Sequence, residues 1–503
     1  MKVNNRFAAG AASVLAMTAG LATGQAALAQ SEENAWFQAG QAEIEAKLAR
    51  QPITGTAKNV IIFLADGNGV ATNYAARIFQ GQQKGGYGDD NVMHKESLPY
   101  LALSKTYNTN AQTPDSAGTA VAFMSGIKTK SGVIGVDETL RRGECADVEA
   151  ATIPSIGDFA AESGRSVGIV STARVTHATP SAVYANAADR DYETDVDQPE
   201  DCAVPDIAAQ LMENMESGTV DLVLGGGRRN FVPAEVEDPE GASGRRGDGH
   251  NMWQEATDAG YQMAWDNETF AALALDHSAP VLGLFESSHM AYEHDRDNEP
   301  SIQEMTEAAI TYLANNEEGY FLLVEGGRVD HANHDGNAYR SMTDGVAFDE
   351  AVAKAVEMTN QEDTLIVVTA DHGHAMAFNG YCGRGSPIEG LCLSIDNNGE
   401  KHLDDPEIAA DGKPYTAIGY LNGTGSIVTE QVDGTYFGTR PMLTQEEATD
   451  PDYIQQAMLP QSAESHSPVD VAIYASGPWA HLFDGTVEQN YIYHVMRKAF
   501  EGE

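Results

Sequence analysis

Four short apolar runs, each followed by polar residues of the kinds that bind metals and phosphates, most constrain the fold of this 503-residue chain. They cover residues 60–64, 166–170, 319–324 and 364–368. Strands that are apolar at nearly every position are typical of parallel sheets buried on both faces. The sequence therefore predicts an α/β fold, with a doubly wound, mostly parallel sheet sandwiched by helices.

The polar residues after these runs predict a shared site. The runs are followed in turn by Asp66, by His177 and Thr179, by Glu325, and by Asp371 and His372. Open α/β sheets bind ligands beyond the carboxyl ends of their strands, so we expect these side chains to meet in one crevice. Carboxylates with imidazoles suit zinc, whereas carboxylates with a hydroxyl suit magnesium. Any one of them alone would usually be a helix cap or a satisfied polar group, and their joint occurrence is what favours a metal site.

Residues 113–119, Thr-Pro-Asp-Ser-Ala-Gly-Thr, place Ser116 beside a carboxylate where a small-residue helix over 117–124 is predicted to begin. A helix N-terminus offers unpaired N–H groups and the positive end of the dipole, which favour an alkoxide and a bound phosphate. An Asp-Ser pair at a helix start is also ordinary capping chemistry. Its occurrence together with the strand-end residues favours a nucleophile.

A further pair of candidate ligands, Asp330 and His334, is spaced four residues apart. On a helix this spacing puts both side chains on one face, where they could hold a single metal ion.

In these motifs the chain resembles the alkaline phosphatase family, and its vertebrate branch more than the best-known bacterial enzyme. The resemblance runs from residues 57–67 to His466 and the apolar run 471–474, and its most specific segments are 114–117, 324–331 and 368–372. It implies hydrolysis of small phosphate monoesters with release of inorganic phosphate. One departure is Asn68, where the family usually has methionine.

The resemblance implies a role for each candidate residue. Ser116 would be the nucleophile that forms a covalent phosphoserine, and Arg190 would grip two phosphate oxygens. Two zinc ions and one magnesium ion are implied, the first zinc activating the serine and the second acting on the leaving group and then on water. The ligand sets are Asp66, Asp371, His372 and Ser116 for the first zinc, Asp330, His334 and His466 for the second, and Asp66, Thr179 and Glu325 for magnesium. Taken alone, Arg190 reads as a surface charge.

The resemblance to the vertebrate branch implies further features. His177 and His331 would tune the metals and phosphate through water. An additional calcium site would use Glu240, Phe285, Glu286 and Glu299. An arm helix at about 35–50 would lie across a partner in a homodimer, and about 379–460 would form a smaller crown-like insertion. A helix packed on its own core is the alternative for the arm.

The beginning of the chain predicts export. Lys2 and Arg6 precede an Ala-rich apolar stretch and the sequence Ala-Leu-Ala at 27–29, which is typical of a cleaved signal peptide. Residues 30–503 would then form the enzyme domain, periplasmic or secreted, without a transmembrane segment.

Four cysteines allow two disulfides in an oxidising compartment. Cys145 with Cys202 resembles a family disulfide, which leaves Cys382 with Cys392. A zinc-thiolate cluster is the alternative, although the spacing is not that of a zinc finger.

The net charge of −45 limits the partners. It opposes nucleic-acid binding, which depends on neutralising phosphates. An acidic chain of ordinary hydrophobic content resembles salt-adapted, halophilic proteins, the alternative being a merely soluble exported protein.

These observations predict an exported, metal-dependent alkaline phosphatase. A phosphodiesterase or phosphotransferase of the same superfamily and a non-catalytic metal- or phosphate-binding protein remain as alternatives. Ser116 distinguishes the last of these, because binding alone needs no nucleophile.

Overall fold

The structure, a computed structural model, describes residues 32–202 and 204–502. The chain divides into two units, one ending at Pro52 and the other beginning at Ile53. The described part of the first unit holds helix α1 (Ala35–Ala49), capped by Asn34, which accepts a 2.9 Å hydrogen bond from the Trp36 backbone N–H. None of the α1 side chains is buried. The predicted signal peptide lies outside the described residues.

The strands of the second unit are, in chain order, β1 (Asn59–Ala65), β2 (Tyr100–Lys105), β3 (Ser166–Arg174), β4 (Leu222–Gly226), β5 (Gln262–Ala264), β6 (Val281–Leu284), β7 (Tyr320–Gly326), β8 (Thr364–Thr369), β9 (Gly373–His374), β10 (Met376–Phe378), β11 (Leu393–Ile395), β12 (Lys401–Pro406), β13 (Ile418–Gly423), β14 (Thr429–Glu430), β15 (Tyr436–Phe437), β16 (Ala457–Pro460), β17 (His466–Ser467), β18 (Val471–Ser476) and β19 (Thr486–Glu488). Its helices are α2 (Val70–Gln83), α3 (Ser116–Ser125), α4 (Val148–Ala151), α5 (Ile156–Glu162), α6 (Ala178–Ser181), α7 (Ile207–Glu216), α8 (Met252–Asp258), α9 (Asn267–Ala271), α10 (Ile302–Leu313), α11 (Arg328–His334), α12 (Ala338–Met358), α13 (Gln445–Ala448) and α14 (Tyr491–Glu501).

Among the described residues, ten strands form one large sheet in the order β19-β2-β18-β8-β1-β7-β3-β4-β6-β5. Neighbouring strands run parallel except β18, which is antiparallel to both β2 and β8. The predicted mostly parallel sheet is confirmed.

Helices cover both faces of this sheet. Successive side chains of a strand point to opposite faces, so each central strand contributes to two hydrophobic cores. In β1, Val60, Ile62 and Leu64 join a core that includes residues of α3, α5, α7, α8 and α14. Ile61 and Phe63 join a second core with α10 and α12. Both faces are thus buried, which explains why the central strands are apolar throughout.

The remaining strands form small sheets. Three of them, β10-β13-β16, β11-β12 and β14-β15, lie between Met376 and Pro460, within or beside the region predicted as an insertion, and the fourth pairs β17 with β9.

The cysteines form the disulfides Cys145–Cys202 and Cys382–Cys392, which confirms that pairing. Among the described residues, no helix is both long and apolar enough to cross a bilayer.

Candidate active site and metal centre

The candidate nucleophile Ser116 is the first residue of α3 and is 2% exposed. Asp115 is the N-cap, and its carboxylate accepts the Gly118 backbone N–H at 3.1 Å. The Ser116 Oγ lies 3.2 Å from His372 Nε2 and 3.4 Å from Asp66 Oδ1. Asp115 therefore caps the helix, and the Ser116 hydroxyl is left to face Asp66 and His372.

Asp66, Asp371 and His372 form the first cluster of metal-binding side chains, with ligand atoms within 4.8 Å of one another. They follow β1 and β8, which are adjacent parallel strands. Asp371 Oδ1 accepts the backbone N–H groups of Gly67 and His372 at 3.0 and 2.9 Å, while its Oδ2 lies 3.1 Å from His372 Nε2. The backbone of the turns thus aims Oδ2, which also accepts the Thr119 hydroxyl at 3.4 Å, into the cluster.

Asp330, His334 and His466 form the second cluster. Helix α11 carries the first two on one face, with His334 Nε2 3.4 Å from Asp330 Oδ2. The Nδ1 atoms of His334 and His466 lie 2.5 and 2.8 Å from the carbonyl oxygens of Glu464 and Pro114. Both rings therefore present Nε2 inward, 3.0 Å apart, and this is the arrangement of metal-ligating histidines.

Two residues that the sequence analysis did not assign, His374 and Glu464, hold this second cluster. His374 Nε2 lies 2.8 Å from Asp330 Oδ1, and its Nδ1 lies 2.5 Å from Glu464 Oε2. The sequence did contain a signal for His374, because it lies only two residues after the candidate ligand His372. Glu464 had none, because only the pairing of His374 with His466 in β9 and β17 brings its carboxylate there.

A third cluster brings together Asp66, His177 and Glu325, whose ligand atoms lie within 4.8 Å. Ser171 Oγ donates a short hydrogen bond to Glu325 Oε2. Four buried atoms of this cluster and its surroundings have no hydrogen-bond partner among the described residues: Asp66 Oδ2, Glu325 Oε1, Thr179 Oγ1 and His177 Nδ1. Buried oxygen acceptors are costly without a partner, so this donor set fits a cation.

Burial and mutual repulsion shift the ionisation of these carboxyl groups. Burial, then Asp371 and the other nearby carboxylates, raise the pKa of Asp66 well above its usual range, and burial raises the pKa of Glu325 to about 7. Burial also acts to raise the pKa of Asp330, but its histidine neighbours outweigh that effect and hold the pKa well below the usual value. Without cations, burial and repulsion therefore favour the protonated forms of the Asp66 and Glu325 carboxyl groups.

Arg190, the candidate phosphate-binding residue, lies beside Asp115, which precedes the candidate nucleophile Ser116. Its guanidinium donates to His177 Nε2 at 2.9 Å and contacts Asp115 Oδ2 at 3.4 Å. The ring centroids of His177 and His331 are 5.6 Å apart. All the residues assigned to zinc, magnesium and phosphate therefore converge at the carboxyl ends of β8, β1, β7 and β3.

The four residues assigned to calcium lie near the ends of β6 and its neighbours. Burial raises the pKa of Glu286, and the charge of Glu240 adds to this effect. Burial, with Glu286 close by, raises the pKa of Glu299 to about 7, and Glu299 Oε2 is buried without a partner. Glu240 pairs with the buried Arg228, and Phe285 is buried.

The metal-free protein is expected to lose stability as the pH rises from 6.5 to 9. In the folded chain the pKa of Glu325 and of Glu299 is raised to about 7, that of Asp344 to about 8 and that of His374 to about 9. Each group holds its proton more tightly when folded, so raising the pH through this window removes stability. Buried histidines whose pKa is lowered act in the opposite direction, but only below their usual 6.5.

Melting temperatures of chelator-treated protein at pH 6.5 and pH 9 measure this effect, and we expect a fall of several degrees. The metal-loaded protein is the control and should change less, because cations replace the protons of Glu325. A metal-free melting temperature that stays level or rises would contradict the expectation.

Comparisons with known proteins agree with this geometry. The alkaline phosphatase family model matches residues 57–501. The tissue-nonspecific alkaline phosphatase of Rattus norvegicus is 41% identical over 486 residues, covering 93% of this chain and 89% of that protein. The alkaline phosphatase of Gadus morhua is 39% identical over 485 residues, covering 93% and 97%.

Solved structures show the same fold at lower identity. The alkaline phosphatase of Thermus thermophilus superposes with a TM-score of 0.63 at 22% identity, covering 91% of this chain and 94% of that one. The enzyme of the Antarctic bacterium TAB5 gives 0.60 at 21% identity, covering 90% and 99%. With the family model matched across most of the sequence, this chain belongs to the alkaline phosphatase family and is a metal-dependent phosphomonoester hydrolase.

Proposed function

We propose that this enzyme hydrolyses phosphate monoesters in two steps through a phosphoserine on Ser116. The observation that carries the proposal is the position of the Ser116 Oγ. It lies at the start of α3, within 3.4 Å of Asp66 and 3.2 Å of His372, beside three clusters of metal-binding side chains. A binding protein would need the clusters but not the buried hydroxyl aimed at them.

The residues fit two zinc ions and one magnesium ion. Asp66, Asp371 and His372 would hold one zinc and Asp330, His334 and His466 the other, since imidazole and carboxylate donors suit zinc. Asp66, Thr179 and Glu325 offer oxygen donors, which suit magnesium. Bound there, such ions lower the pKa of a hydroxyl or water and stabilise charge on phosphate-ester oxygens.

The chain's own residues would do the following. Ser116 gives its hydroxyl proton to water, and its Oγ attacks phosphorus while the bond to the ester oxygen breaks. The alkoxide that leaves takes a proton from water. Arg190 holds two phosphoryl oxygens, with its guanidinium oriented by His177 and Asp115. The free N–H groups at the start of α3 stabilise negative charge on the serine side. Water then attacks phosphorus on the side opposite the Ser116 Oγ, and the bond between phosphorus and Oγ breaks. One proton of that water passes to Oγ, which restores the serine hydroxyl and releases inorganic phosphate.

Further parts of the proposal concern the surroundings of the enzyme. Export to the periplasm or beyond fits the predicted signal peptide and the two disulfides. A homodimer fits α1, whose Trp36 and Leu48 are each 78% exposed although apolar. The carboxylates of Glu240, Glu286 and Glu299, with Phe285, are proposed to hold calcium.

Hydrolysis of p-nitrophenyl phosphate and of bis-p-nitrophenyl phosphate, with and without a chelator, tests the function. We expect turnover of the monoester, far slower turnover of the diester, and loss of both after chelation with recovery on adding zinc and magnesium. Faster cleavage of the diester would favour a phosphodiesterase. Absence of turnover by the metal-loaded protein would favour the binding protein.

A further inference from the structure

Several basic side chains line one side of the metal centre, although the chain has 75 acidic and only 30 basic residues. We call them the basic cluster: Arg174, Arg229, Arg328 and His289. None of these four residues has a role in the function proposed above. The neighbouring Arg190 differs, because it is proposed to bind phosphate. In so acidic a chain, cations beside the active site are expected to be paired with carboxylates, so those that are not paired are informative.

Arg174 is fully engaged. It forms a two-pronged ion pair with the buried Glu193, at 2.8 Å from Nε and 2.6 Å from Nη2. Its Nη1 lies 2.5 Å from His289 Nε2. Because Thr176 and Asn230 also donate to Glu193, this carboxylate already accepts four hydrogen bonds, three of them at Oε2. Arg174 is therefore part of the framework that places His289.

Arg229 and Arg328 are different. Within the described part of the chain, neither guanidinium has a carboxylate oxygen within 4.0 Å, and the Nε of each is buried without a hydrogen-bond partner. The acids nearest to Arg229 are Glu193, which is paired with Arg174, and Asp197, which is paired with Arg245. Two partly buried guanidinium groups therefore keep donors available for an anion from outside the chain.

The cluster is continuous with the phosphate-binding side of the centre. His177 accepts from Arg190, and the His289 ring lies 5.3 Å from the His177 ring and 4.1 Å from the His331 ring. The backbone N–H of Arg229 donates to the Ser287 carbonyl at 3.2 Å, which ties it to the His289 loop. Arg328 donates to His331 Nδ1 at 3.0 Å and stacks on Tyr292.

We propose that Arg229 and Arg328, with His289 between them and the metal centre, form a subsite for a second anionic group of the substrate. The group would be a carboxylate or a second phosphate carried on the alcohol part of the ester. A guanidinium can bind either the planar carboxylate or the tetrahedral phosphate through a pair of hydrogen bonds. This inference rests on the proposed function, since it assigns a substrate class to the same site. It predicts a preference for esters that are anionic at both ends.

Binding of non-hydrolysable ligands tests the subsite without turnover. The probes are carboxyalkylphosphonates with chains of two to four carbons between the two acids, each compared with the alkylphosphonate of equal chain length. Calorimetry on the metal-loaded enzyme gives the ratio of the two dissociation constants. We expect the carboxylate to tighten binding about tenfold or more for at least one length, as for a charge-assisted hydrogen bond.

The Arg229→Gln variant should bring that ratio close to one and leave the affinity for the alkylphosphonate within about twofold, and Arg229→Lys should recover part of the ratio. Arg165→Gln is the matched control. Among the described residues, Arg165 also has no ion pair, so the variant removes a comparable guanidinium. Arg165 lies just before β3, at the amino end of that strand and away from the metal centre at the carboxyl ends, and we expect the variant to keep the wild-type ratio. A wild-type ratio of one at every length, or an unchanged ratio in Arg229→Gln, would overturn the proposal.

Turnover of 3-phosphoglycerate and glycerol 3-phosphate separates this inference from the proposed function. The two esters differ in one carboxylate, and we expect kcat/KM for the acid to fall selectively in Arg229→Gln. An equal fall for both esters would assign Arg229 to the general stability of the site and overturn the subsite. If the wild type hydrolyses neither these two esters nor p-nitrophenyl phosphate but keeps the binding ratio, the proposed function fails and the subsite stands as an anion-binding site.

Discussion

Replacing Ser116 by alanine is expected to abolish the covalent phosphoenzyme and to lower kcat for phosphate monoesters by at least about a thousandfold. The substitution removes a hydroxyl that contacts both Asp66 and His372. The fold should persist, because Asp115 and not Ser116 caps the helix, and alanine is a good helix former. Labelling with radioactive phosphate, followed by denaturation in acid, measures the phosphoenzyme directly.

The matched control is Ser125→Ala. Ser125 is the last residue of the same helix, and its hydroxyl bonds only to local backbone, at 2.7 Å from the Val121 carbonyl. We expect wild-type labelling and turnover from this variant. Labelling of the Ser116→Ala protein at the level of the Ser125→Ala protein would show that another residue is the nucleophile.

Removing His466 should have the second large effect, because its Nε2 lies 3.0 Å from that of His334 and 3.4 Å from Asp330 Oδ1. We expect His466→Ala to lose one of two zinc ions and most of its activity. The cluster then keeps only two of its three ligands, whereas a catalytic zinc usually has three from the protein. Metal analysis after dialysis counts the ions, and an undiminished zinc content would remove His466 from the ligand set.

His374→Ala separates a ligand from a residue that positions one. His374 contacts Asp330 and is itself held by Glu464. If it only orients Asp330, the variant should keep both zinc ions but bind them about 10- to 100-fold more weakly. The exposed His402 provides a control, and His402→Ala should match the wild type. Loss of an ion in His374→Ala at saturating zinc would instead make His374 a ligand.

Much of the framework of this site is local and could be predicted from sequence. The apolar runs at 60–64 and 364–368 could be predicted as inner strands, because a strand that is covered on both faces of a sheet is apolar at nearly every position. The start of α3 follows from the small residues after Ser116 and from the Asp115 cap. Asp330 and His334 share a face because a helix repeats every 3.6 residues. Local periodicity determines each of these features.

The resemblance to a family supplied what local patterns could not, above all His466. That residue is 132 positions from His334, and no periodicity connects the two. Its place depends on the pairing of β17 with β9 and on a hydrogen bond to the Pro114 carbonyl. Motif matching found the residue without explaining its position.

Only the tertiary structure decided which groups surround the ligands and how they ionise. Glu464, His289, Arg229 and Arg328 come from separate loops and helix starts, and nothing in their neighbouring residues predicts that they meet around one centre. The raised pKa of Glu325 is likewise a property of burial. Sequence by itself determined the strands, the nucleophile's helix and the ligand types, because these depend on neighbours along the chain. The strand order β8-β1-β7-β3 brought the side chains at the strand ends together and buried them from solvent. The sequence alone could not show this, because contacts between distant segments exist only once the chain has folded.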